Sequence, residues 1–130
     1  MTVPSLTLSV LPGRLAISRL APGDQLPAWA TRGSFFSVTG TAGELSIVCP
    51  EDQVPAGVTS VGDWSALRLE GTFDFGATGI LSSLAAPLAK AGISIFAVST
   101  YDTDYLLVRQ GQLEQAVAVL TARGHQVRRQ

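Results

Sequence analysis

Along residues 65–128 the spacing of apolar side chains alternates between two and 3.6 residues, in the order strand, helix, strand, strand, helix, strand. In SALRLEGTF (65–73), Leu67, Leu69 and Phe73 fall on one face and Arg68, Glu70 and Thr72 on the other, which predicts a half-buried strand. From Gly79 to Ala91, Ile80, Leu81, Leu84, Leu88 and Ala91 form one helical stripe. Thr78 is placed to cap that helix and Gly92 to end it, while Pro87 loosens its last turn. ISIFAVST (93–100) reads as a strand apolar on both faces, and DYLLVR (104–109) as the next strand after a turn at 101–103. Residues 111–123 are again helical, through Leu113, Ala116, Val117 and Leu120, before Gly124 and a short edge strand in HQVRR. This βαββαβ order is the ferredoxin-like plan, an α+β fold.

The first half carries four strand-like segments, LTLSVL, RLAISRL, SFFSVTG and ELSIVC, with a short helical piece near Leu26–Ala30. Sliding residues 34–48 by sixty positions onto 94–108 puts Ser34, Phe36, Val38 and Val48 on Ser94, Phe96, Val98 and Val108 without a gap. The same slide puts Glu44 on Asp104 and Pro27 on Pro87. The expectation is two related tandem halves, residues 1–60 and 61–130, the first with a shortened helix.

Composition removes several classes of function. Hydrophobic residues make up 46% and charged residues 15%, which is too apolar for a disordered chain. Nine Lys plus Arg balance ten Asp plus Glu, so the basic excess of a nucleic-acid binder is missing. Arg123, Arg128 and Arg129 read as a solvated chain end. A single cysteine, Cys49, excludes an internal disulfide and reads as a small core residue. The lone histidine, His125, reads as a surface imidazole; zinc and a Ser-His-Asp triad are both left without ligands or partners. No stretch reaches the length of a membrane span, and the N-terminus lacks a basic signal region, so a cytoplasmic address is expected. No catalytic residue, metal or cofactor is expected.

The informative place is where DFGATG (74–79) precedes the first helix and STYDTD (99–104) ends the neighbouring strand. A helix start presents unpaired N–H groups and partial positive charge, and Gly76 and Gly79 leave the backbone open to approach. Neither segment holds a Lys or Arg, so a single carboxylate held by backbone donors fits better than a polyphosphate. Ser99, Thr100 and Asp104 offer acceptors for an ammonium group. The combination suits a zwitterion such as a free amino acid. The competing reading makes 74–79 an ordinary strand–turn–helix corner.

GILSSLAAPLAKAGISIFAVSTYDTDYLLV (79–108), preceded by LRLEGTFDF, resembles the ACT-domain family. It is most similar to the branch of small tandem ACT proteins that includes the cytosolic arginine sensors of animal cells. FFSVTGTAGELSIVCPEDQVP (35–55) resembles the N-terminal half of that branch. The resemblance implies ferredoxin-like units, a non-enzymatic regulatory role, and an amino acid bound at an interface between units. Carried over residue by residue, it places ligand contacts on Phe75, Gly76, Ala77, Thr78, Gly79 and Ile80, and on Ser99, Thr100, Tyr101 and Asp104. Where this chain has Ala77 the arginine sensors have an acidic residue, which removes a partner for a guanidinium. Those sensors hold four modules against two here, so an equivalent interface implies a homodimer. The alternative is a structural or protein-interaction module that assembles through its sheet and binds no ligand.

Overall fold

The computed structural model describes residues 5–71 and 78–129, which form two compact units. One comprises Gly13–Trp64; the other combines Met1–Pro12 with Ser65–Gln130. The N-terminal strand thus packs with the C-terminal part of the chain, whereas order along the sequence groups LTLSVL with the first half.

In the unit of residues 13–64, β2 (Leu15–Leu20) lies between β4 (Leu45–Pro50) and the first part of β5 (Thr59–Leu69), with β3 (Ser37–Gly40) beyond β4. Two short 3-10 turns, Ala28–Thr31 and Glu51–Gln53, stand where a ferredoxin-like unit has its helices. Ala30, Ile47 and Cys49 form a small core, backed by Leu20, Trp29 and Val54. Cys49 is fully buried there, as its apolar strand predicts. Residues 59–64 belong to β5 but escape the sequence pattern. Gly62 and Asp63 interrupt the alternation, Asp63 takes a left-handed φ of 67°, and the β2–β5 register shifts between Leu15 and Ile17.

In the other unit the βαββαβ order is realised as the last part of β5, α1 (Ile80–Lys90), β6 (Ile95–Ser99), β7 (Asp104–Arg109), α2 (Leu113–Ala122) and β8 (Gln126–Arg128). A 3-10 turn at Gln110–Gln112 leads into α2. The predicted α1 stripe packs as expected: Leu84 and Leu88 are fully buried, with Ile80, Leu81 and Ala91 against the same core as Leu113, Ala116 and Leu120. Gly92, at φ 79°, ends the helix and lets Ile93 N–H return to the Leu88 carbonyl at 3.0 Å.

The pairing order of this unit is β8-β1-β5-β7-β6, where β1 is Thr7–Val10. β1 occupies the place beside β5, so β8 pairs with β1. Alternation explains the fit. Leu8 stands between Leu69 and Val127 on the core side, and Ser9 stands between Arg68 and Arg128 on the other. Leu6 and Leu8 join the core with Leu67 and Leu69.

His125 departs from the surface position expected of it. It is 5% exposed, and its Nδ1 accepts the Leu6 N–H at 3.1 Å. A buried backbone donor needs a partner, and the imidazole supplies one where β1 enters the sheet.

Both units share a hairpin that exposes the true register of the repeat. Gly40 pairs with Leu45 as Ser99 pairs with Asp104, an offset of fifty-nine rather than sixty. At that offset the buried trio Ile47, Val48 and Cys49 matches Leu106, Leu107 and Val108. The hydroxyls of Thr41 and Thr100 hold equivalent turns, accepting the N–H of Glu44 at 3.1 Å and of Thr103 at 3.2 Å. Glu44 therefore corresponds to Thr103 and not to Asp104.

No helix among the described residues is long and apolar enough to cross a membrane. No group of three or more His, Cys, Asp or Glu among them is placed to hold a metal ion.

Candidate functional site

Phe75, Gly76 and Ala77 lie outside the described residues. The rest of the expected site falls into two places in the unit of β1, β5–β8 and the two helices. At the start of α1, Gly79 and not Thr78 is the capping residue, at φ 78° and with no side-chain cap. Among the described residues nothing lies within 4 Å of a Cβ built at Gly79, and its left-handed backbone by itself calls for glycine there. Its carbonyl accepts the Ser83 N–H at 3.0 Å and the Ser82 hydroxyl at 3.2 Å. Thr78 is exposed, and Ile80 packs against the core.

The second place is the β6–β7 turn. Ser99 and Asp104 are cross-strand partners, and the Ser99 hydroxyl donates to the Asp104 carboxylate. That bond orients a half-buried acid at the end of the hairpin. Thr100 is committed to the turn itself, its N–H donating to the Thr103 carbonyl at 2.8 Å. Tyr101 is 80% exposed at the tip. Thr103, which no local sequence pattern singles out, buries its hydroxyl and donates to the Leu69 carbonyl at 2.8 Å. That bond ties the turn to the end of β5.

A cavity of about 500 Å³ opens beside the start of α1. Its walls are Ser5–Thr7, Glu70 and Gly71 at the end of β5, Ile80, and Arg128 of β8. Of the expected residues, it takes only Ile80 among those described; the Ser99–Asp104 group stands outside its walls. Glu70 is half-buried and accepts a hydrogen bond from the Ser9 hydroxyl. Arg128 is exposed, as expected of a solvated chain end, and it also lines the mouth of this cavity. Neither Glu70 nor Arg128 could be singled out from sequence, because the insertion of β1 is what brings β5 and β8 to its two sides.

A family model described as ACT domain matches residues 59–122. A second model, for an N-terminal domain, matches residues 13–57. The human protein CASTOR3P is 38% identical over 96 residues, 64% of this chain and 59% of that protein. The cytosolic arginine sensor for mTORC1 subunit 1 of Rattus norvegicus is 30% identical over 110 residues, 77% of this chain and 33% of that protein. The chain thus spans 59% and 33% of the lengths of these curated relatives. A crystal structure of a protein from Agrobacterium tumefaciens matches with a TM-score of 0.94 at 42% identity, covering 98% of this chain and 96% of that one. The regulatory subunit of aspartate kinase from Thermus flavus matches with a TM-score of 0.63 at 10% identity, over 95% of this chain and 99% of that one, a likeness of fold alone. What the chain matches is an ACT module and not a catalytic domain. With two ferredoxin-like units in tandem, this chain belongs to the ACT-domain family, in the branch related to the cytosolic arginine sensors.

Proposed function

We propose that this chain is a non-enzymatic regulatory module that binds a small free amino acid at an interface between ACT units, as a cytoplasmic homodimer. The observation that carries the reading is the Ser99–Asp104 pair. A half-buried carboxylate, oriented by a hydroxyl, stands on a turn that Thr103 fastens to the end of β5. The helix start that follows β5 in sequence has Gly79 at its N-cap and, among the described residues, no side-chain cap. The ligand's α-carboxylate meets the backbone of that helix start, and Asp104 balances its ammonium or a cationic side chain. Phe75 to Ile80, Ser99, Thr100 and Tyr101 frame the ligand. Relatives named as arginine sensors and as a regulatory subunit support a sensing role, while Ala77 in place of an acid speaks against arginine itself.

A thermal-shift screen over the twenty amino acids tests this, since a ligand bound only by the native state must raise the melting temperature. At least one amino acid is expected to do so, and Asp104→Asn is expected to weaken its binding roughly ten- to hundredfold. A panel without any stabilising amino acid overturns the reading. Light scattering that returns the mass of one chain at micromolar concentration removes the homodimer.

A further inference from the structure

We propose that the cavity between Glu70 and Arg128 is a second binding site, for a small zwitterion with an aliphatic side chain. It goes beyond the function proposed above, because none of its polar partners belongs to the α1 start or to the β6–β7 turn.

Size comes first. About 500 Å³ lies within the usual range of small-molecule sites. Charge comes second. Glu70 and Arg128 face the same space with opposite signs, yet among the described residues neither forms an ion pair, with the other or with any other group. Two opposed charges that share a cavity without meeting are each open to a complementary group placed between them. Glu70 is the better ordered of the two, being half-buried and held by the Ser9 hydroxyl, so it takes the ammonium. Arg128, exposed on β8 at the edge of the same space, takes the carboxylate through its planar fork of donors. Thr7 and Ser5 add hydroxyls along the β1 side, and Leu6 and Ile80 give the apolar wall that meets the side chain.

This arrangement depends on the inserted strand. β1 separates β5 from β8, so the acid and the guanidinium stand on either side of Ser9 and Thr7 instead of closing directly on one another. On the same row Arg68 is the cross-strand neighbour of Ser9, but it does not line the cavity. It therefore serves as an internal control for charge alone.

The test is titration of the 130-residue chain with alanine, valine and leucine, followed by backbone amide NMR and calorimetry. The amide and the deaminated acid of each are run beside it. Saturable shifts are expected at Thr7 and Gly71, which belong to this cavity and not to the site proposed above. The amide, which lacks the carboxylate, and the deaminated acid, which lacks the ammonium, are each expected to bind roughly ten- to hundredfold more weakly. Glu70→Gln and Arg128→Gln are expected to lose affinity by the same factor, with melting temperatures near the parent's, while Arg68→Gln keeps the parent's affinity. If Glu70→Gln and Arg128→Gln bind as the parent does, or Arg68→Gln weakens binding equally, the second site is overturned. In that case binding that still responds to Asp104→Asn leaves the proposed function standing. An absence of saturable shifts anywhere overturns both.

Discussion

The Leu6 N–H donates to Nδ1 of His125 at 3.1 Å, across 119 positions of sequence. Two neighbouring bonds close the same seam: the Ser5 hydroxyl to the Gly124 carbonyl at 2.6 Å, and the Gln126 N–H to the Leu6 carbonyl at 2.9 Å. Because Nδ1 accepts, the neutral ring carries its proton on Nε2. His125→Ala leaves a buried N–H without a partner, which should cost about 1–3 kcal/mol in denaturant unfolding. An unshifted midpoint would show that the imidazole is dispensable at this seam.

Leu8 is fully buried in one core with Leu84 and Leu120, although it arrives from the other end of the chain. Leu8→Ala should therefore cost as much as Leu84→Ala or Leu120→Ala, about 2–5 kcal/mol each. Thermal unfolding of the three variants checks this. A melting temperature unchanged only in Leu8→Ala would contradict the placement of β1 between β5 and β8.

Thr41 and Thr100 make the same turn in the two hairpins. Thr41→Val and Thr100→Val each remove a hydroxyl that accepts a turn N–H, at a cost of about 0.5–1.5 kcal/mol. Similar losses in the two variants, read by denaturant titration, support the offset of fifty-nine established by the paired hairpins. A loss at one position alone would mean that the turns are not equivalent in energy.

Burial, and secondarily the negative charge of Asp52, pushes the Cys49 thiol pKa up from its ordinary value. The folded pKa then exceeds the unfolded one. The resulting stability is fully present below the ordinary thiol range and is lost as pH rises through the folded value. Stability should accordingly fall at alkaline pH, and Cys49→Ala should flatten that fall. Thiol labelling at neutral pH should proceed at the rate of opening. Labelling as fast as that of a free thiol would place Cys49 at the surface.

Local periodicity made α1, α2 and β6 to β8 readable, because a side chain's face depends only on its own element's repeat. The Asp63 kink escaped it, since a left-handed non-glycine residue breaks the alternation without a composition signal. The repeat was visible too, but one residue out of register. Strands share apolar composition, so identities accumulate at wrong offsets, and a slip of one moves every side chain to the opposite face.

The candidate site divides in the same way. Ser99, Thr100 and Asp104 could be chosen from sequence because one short hairpin holds them together, and the Ser99–Asp104 bond spans five positions. Glu70 and Arg128 could not. Nothing within either segment states that residues 7–10 will lie between β5 and β8. By itself the sequence determined the order of elements, the buried stripe of each helix and the scarcity of catalytic groups, all of which follow from residue type and short-range spacing. Only the tertiary structure decided which strand fills the place beside β5, and with it the burial of His125 and the cavity that Glu70 and Arg128 share. Strand pairing selects among partners far apart in the chain by the fit of whole apolar rows, such as Leu69, Leu8 and Val127, and no local pattern contains that choice.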